Sequence, residues 1–171
     1  MPEPDTSLTG LTPMQWKMMA AVHEQLLPSE AEIPGAREIN AAGFLRLVMA
    51  DPRFDSTDRE YMRAGAVELE DVCRALYSKS FLALGSEHRE AALRRLEQRR
   101  TGRGWLAELL EFLIEALLGD PSHGGNPDGV GWQWMEIHPA FPRPPAGGDC
   151  SRGRKKWSSF FLPRSPRVCC F

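Results

Sequence analysis

Apolar residues recur at helical spacing in five stretches of this 171-residue chain. The first stretch carries apolar side chains at four-residue intervals, at Met14, Met18, Val22 and Leu26. This spacing places them on one face of a helix. The helix has clear ends, because Thr12 supplies a capping hydroxyl, Pro13 suits the first helical position and Pro28 cannot continue the helix.

Four further stretches show the same periodicity. They predict helices over about residues 36–50, 58–78, 87–100 and 103–118. Thr57 and Glu60 have the spacing of a capping box at the start of the third helix, and Ser86 is the predicted cap of the fourth. No stretch alternates apolar and polar residues as a half-buried strand does. The pattern therefore predicts an all-α fold, a single bundle of about five helices.

The fifth predicted helix is the most apolar. Its large apolar residues are Leu106, Leu109, Leu110, Phe112, Leu113, Ile114, Leu117 and Leu118. Only Glu108, Glu111 and Glu115 interrupt them, and these fall on one narrow strip. A helix that is apolar around most of its circumference is expected at the centre of a bundle.

Residues 120–139, DPSHGGNPDGVGWQWMEIHP, differ in kind from the helices. Four glycines and three prolines in twenty positions oppose both a helix and a central strand. Trp132 and Trp134, however, bring apolar surface that a free loop would not leave in water. We therefore expect an ordered loop that reaches about residue 142 and is pinned by both tryptophans.

The composition changes again after residue 145. Residues 146–171 have no helical or strand period and carry six basic residues against one aspartate. This composition predicts a disordered basic tail that is dispensable for stability, although a stretch read in an altered frame fits it equally well. The expected organisation is a helical domain over 12–145 followed by the tail.

The net charge, the N-terminal sequence and the cysteine pattern limit the classes of function. The formal net charge is −2 and the body is the acidic part, which argues against a nucleic-acid partner. No apolar run is long enough to span a membrane, and the start MPEPDTSLTG lacks the features of an export signal, so the chain as written predicts a cytoplasmic location. The four cysteines form no metal pattern. They are Cys73, expected to be buried as a small apolar residue, with Cys150, Cys169 and Cys170.

Motifs for catalysis or cofactor binding are absent from the sequence. The four histidines, His23, His88, His123 and His138, are isolated and have no ligand spacing. The glycines between 124 and 131 follow no strand, which a dinucleotide-binding loop requires. We therefore expect no catalytic, cofactor-binding or metal-binding residues in this chain.

A spaced motif in the glycine-rich stretch does resemble a known family. The motif residues are Asp120, Pro121, Gly124, Gly125, Asn126, Asp128, Gly131 and Trp132. Their order, DP then GGN then GW, resembles the C-terminal signature of the gluconate 2-dehydrogenase subunit 3 family, and the likeness extends more weakly over about 11–145. Two positions depart from the family pattern. His123 replaces a common tyrosine, and His138-Pro139-Ala140 replaces Tyr-Pro-Gly.

The resemblance implies a function that the residues alone do not. It implies a non-catalytic small subunit of a membrane-associated, periplasmic dehydrogenase complex that oxidises gluconate or a related sugar or polyol. The partner it implies is a large flavoprotein of the glucose-methanol-choline type, which carries FAD, commonly with a multihaem cytochrome c subunit. The motif residues would then dock on the large subunit, with Trp132 as anchor, or only cover the end of the fifth helix. The alternative is an independent helical interaction module with an unrelated partner.

Overall fold

The computed structural model describes residues 9–137, and within this range the regular structure is helical, with no β-strand. Six α-helices, α1 to α6, span Pro13–Leu26, Ala41–Ala50, Ser56–Tyr77, Ser86–Glu97, Arg100–Leu118 and Val130–Trp134. The predicted all-α fold with five long helices is confirmed. The expected tail over 146–171, the end of the loop near 142 and three of the cysteines lie outside the described residues.

Helix α1 begins as its sequence predicts. The Thr12 hydroxyl accepts a hydrogen bond from the Gln15 backbone N–H at 3.2 Å, and the Gln15 side-chain oxygen accepts one from the Thr12 N–H at 2.9 Å. The reciprocal pair satisfies two backbone donors that a helix start leaves open. The helix ends at Leu26, just before Pro28.

One predicted helix start and two predicted helix caps are wrong. Helix α2 begins at Ala41 rather than near residue 36, because Asn40 adopts a left-handed conformation (φ 54°) that interrupts the helical path. Helix α3 is capped by the Asp55 carboxylate, which accepts from the Thr57 N–H at 2.7 Å, so Thr57 and Glu60 form no capping box. Ser86 is the first residue of α4, after the Gly85 cap, and its hydroxyl bonds to Gln25 of α1 instead.

Helix α5 is the centre of the bundle, as predicted, and contacts each of the other five helices. Its inward side chains are fully or nearly fully buried, among them Trp105, Leu109 and Leu113. Its apolar surface is larger than its buried face, however, since Leu110, Ile114 and Leu118 remain exposed. No helix among the described residues is both long and apolar enough to cross a bilayer.

His23 is a titratable group inside this core. Its side chain is buried, and neither ring nitrogen has a hydrogen-bond partner within residues 9–137. Burial lowers the pKa of His23 to about 4. The buried imidazole is therefore neutral where an exposed one would become charged.

The folded protein should lose stability as the pH is lowered from about 6.5 to about 4. In this range His23 binds a proton in the unfolded chain but not in the folded one. In the unfolded chain this group titrates near the ordinary histidine pKa of 6.5, and in the folded chain near 4. The free energy of unfolding should therefore lose about 3 kcal/mol between these pH values and no more below them. Urea denaturation from pH 7.5 to 4 measures this loss.

His23→Gln isolates this contribution from those of the carboxylates. We expect the wild-type stability minus that of His23→Gln to decline across the window. A wild-type advantage that does not change with pH would contradict the assignment to His23.

Candidate functional site

The sequence motif lies in residues 120–132, called here the motif loop, which runs from the end of α5 into the first turn of α6. It is ordered, as expected, and consists of two 3-10 turns, Pro121–His123 and Pro127–Gly129, before α6 begins. The Asp120 carboxylate caps the first turn by accepting from the Ser122 N–H at 2.9 Å. The first turn ends at Gly124, whose φ of 88° is left-handed.

Asn126 is the most connected residue of the motif loop, and it is fully buried. Its side-chain oxygen accepts from the Gly131 N–H at 2.6 Å, and its Nδ2 donates to the Gly119 carbonyl at 3.1 Å. Its backbone N–H donates to the Ile39 carbonyl at 2.9 Å. Asn126 therefore joins the end of α5, the start of α6 and the turn before α2.

Two glycines allow the motif loop to lie directly on the backbone of α5. A Cβ at Gly125 would stand 2.8 Å from both the Cα and the carbonyl oxygen of Ala116. A Cβ at Gly131 would overlap the carbonyl oxygen of Leu117. Both contacts are with backbone atoms that cannot rotate away, so any side chain at either position would push the loop off the helix.

Trp132 covers the C-terminal end of α5. Its indole Nε1 donates to the Leu118 carbonyl at 2.8 Å, and the side chain is half-buried. The last carbonyls of a helix have no partner inside the helix, so this bond and the Asn126 bond to Gly119 complete the end of α5. Trp134, by contrast, is 39% exposed, so the expectation that both tryptophans pin the loop is correct for Trp132 alone.

The structure separates the motif residues by exposure. Gly125, Asn126 and Gly131 are buried against α5, whereas Asp128 is exposed. The alternative that Asn126 reaches a partner does not fit, because both ends of its amide bond inside the chain. The structure favours the alternative in which the motif covers the end of the fifth helix.

Sequence reasoning missed the contribution of Asn40, the residue just before α2, to this site. The Asn40 side chain donates to the Gly124 carbonyl at 2.7 Å, across a separation of 84 residues. The signal was an asparagine within a predicted helix, since asparagine favours left-handed turns over helix interiors. The partner of that asparagine could not be read from the sequence.

Chemistry of the described residues is limited. No three His, Cys, Asp or Glu side chains within residues 9–137 come together in a way that could hold a metal ion. Cys73 is fully buried, as predicted, and burial raises the pKa of its thiol to about 11. A thiol with that pKa stays protonated near neutral pH and is a poor nucleophile.

Comparison with known proteins identifies one family. The family model for gluconate 2-dehydrogenase subunit 3 matches residues 13–139, which include all six α-helices and the motif loop. Neither the curated proteins nor the solved structures contain a significant match to the chain.

Proposed function

This chain belongs to the gluconate 2-dehydrogenase subunit 3 family, and we propose that it is a non-catalytic accessory subunit that docks on a large flavoprotein dehydrogenase. The partner in this proposal is of the glucose-methanol-choline type, holds the FAD and oxidises gluconate or a related sugar or polyol. A cytochrome c subunit would complete the complex. The observation that carries the proposal is the family match over the whole helical body and the motif loop together.

The motif loop has a defined part in this proposal. Its buried residues complete the end of α5 and fix the start of α6, so they determine the shape of this end of the molecule. Exposed members such as Asp128 remain available to a partner. We infer that the motif contributes to docking mainly by holding the surface around α5 in one conformation, which lowers the entropy lost on binding.

Co-expression tests the subunit assignment. The probe is the large flavoprotein encoded nearest to this chain, and an affinity tag is placed on the small chain. We expect the tag to retain both chains in equal amounts together with the flavin absorbance of the partner. The small chain purified alone should be colourless, because the sequence contains no dinucleotide-binding motif.

Two results would contradict the assignment. Flavin bound by the small chain alone would make it a flavoprotein in its own right. Failure to retain the large chain, although both chains are expressed and soluble, would favour an independent helical module instead. The large flavoprotein without a tag, expressed without the small chain and passed over the same resin, is the control for nonspecific retention.

A further inference from the structure

The central helix has an unpartnered apolar stripe on its outer side. Leu110, Ile114 and Leu118 are 43%, 44% and 40% exposed, respectively. They follow one another at four-residue intervals and so form one continuous stripe along the second half of α5. Exposed apolar residues are ordinary when scattered, but an aligned set on the most apolar helix indicates a surface that another molecule covers.

A row of carboxylates borders this stripe. Glu108, Glu111 and Glu115 lie along the adjacent side of the same helix. Partial burial is the main reason why the pKa values of Glu108 and Glu115 are raised, and repulsion from Glu111 raises both further. Asp58 of α3 also raises the pKa of Glu108. Nearby negative charge is thus concentrated without compensation on this side of the helix.

These carboxylates have no basic partner, unlike five glutamates elsewhere in the bundle. Glu24, Glu60, Glu68, Glu70 and Glu90 each form an ion pair with an arginine. Among the described residues, no ion pair or hydrogen bond satisfies Glu108, Glu111 or Glu115. The distribution leaves an apolar stripe with an unneutralised acidic border.

We propose that this outer face of α5 is the surface on which the large dehydrogenase subunit docks. The outer face is defined by Leu110, Ile114 and Leu118 with Glu108, Glu111 and Glu115. It fits a partner surface with an apolar centre and lysine or arginine residues along one side, since apolar contact supplies affinity and opposite charge supplies orientation and association rate. The assignment rests on the proposed accessory-subunit function.

The motif loop supports this location. Leu118 ends the stripe, and its carbonyl is the atom that accepts the Trp132 bond. The loop is therefore attached to the end of the outer face and holds the last turn of α5 in helical form. The family signature and the apolar stripe thus meet at the same end of α5.

Two sets of variants test the outer face in the co-expression assay. Ile114→Asp places a charge in the middle of the stripe, and the double variant Glu111→Lys/Glu115→Lys reverses the acidic border. We expect Ile114→Asp to weaken capture of the large flavoprotein at least tenfold, as substitution at an interface centre does. The double variant should weaken capture severalfold, and rising salt should weaken capture by the wild type.

Matched controls lie on α3. Val67 is 48% exposed, and Asp71 is an exposed acid four residues later. Both line the cleft of about 300 Å³ between α1 and α3. Val67→Asp and Asp71→Lys should leave capture unchanged. Each variant is first shown to melt like the wild type, and the charge reversal keeps the test decisive if Ile114→Asp unfolds.

The outcomes separate this inference from the proposed function. If the wild type retains no flavoprotein, the accessory-subunit function itself fails. If the wild type retains it and folded outer-face variants do so equally well, only the assignment of the face is overturned. Loss of capture by the α3 variants alone would move the docking site to that cleft. The wild type could also prove to be a dimer that Ile114→Asp converts to a monomer without loss of capture. A second copy of the chain would then occupy the outer face, and the proposal would be overturned.

Discussion

Trp105→Ala is expected to lower the free energy of unfolding by about 3–5 kcal/mol, because it removes the largest fully buried side chain of the bundle. Trp105 lies in the first half of α5 and packs against Gly65 of α3, where even a Cβ would overlap the indole ring. Its Nε1 also donates to the Met62 carbonyl at 3.1 Å. Alanine leaves both a cavity and a lost hydrogen bond at the contact between α3 and α5.

Urea denaturation followed by circular dichroism measures the loss. Trp134→Ala is the matched control, since Trp134 is a tryptophan of the same chain that is 39% exposed, and we expect it to cost less than about 1 kcal/mol. Trp105→Phe should fall between the two, because it keeps most of the apolar volume and loses the bond to Met62. Similar losses for Trp105→Ala and Trp134→Ala would show that Trp105 is not the centre of the core.

The helices could be predicted because their signals are local. Four-residue spacing identified α1, and the dense apolar run identified α5 as central. The helix starts were harder, because several residues near each start have capping side chains. Asp55 and Thr57 are both good caps, and the folded structure uses Asp55. Propensity alone does not rank two such neighbours.

The motif loop shows where prediction from sequence ends. Its glycines and tryptophans indicated an ordered backbone, and the backbone is ordered. They did not show that Asn126 faces inward, because its partners, Gly119, Gly131 and Ile39, come from three separate segments. In the same way, the apolar pattern placed Ile114 on the most apolar helix without showing that no other helix covers it. Those facts depend on tertiary packing, which a helical repeat does not specify.

Asn126→Ala is expected to destabilise the chain by about 3 kcal/mol, which reverses the expectation for a residue that contacts only a partner. The substitution leaves the Gly131 N–H and the Gly119 carbonyl without the bonds that the amide supplies. Each unsatisfied group that stays buried costs about 1–3 kcal/mol. Ser122→Ala, at an exposed position of the same loop, should change the melting temperature little.

Asn126→Asp tests the two bonds separately, because aspartate has the shape of asparagine and keeps an acceptor for the Gly131 N–H. At neutral pH its second oxygen would face the Gly119 carbonyl, so the buried charge should cost at least as much as alanine does. Burial should raise the pKa of this new carboxyl, and the protonated form can again donate to Gly119. The stability lost by Asn126→Asp relative to the wild type should therefore shrink as the pH falls, whereas the stability lost by Asn126→Ala should not.

Urea denaturation of both variants and the wild type at each pH measures these differences. Two variants that melt like the wild type and lose capture of the flavoprotein would show that Asn126 acts in docking rather than in the fold.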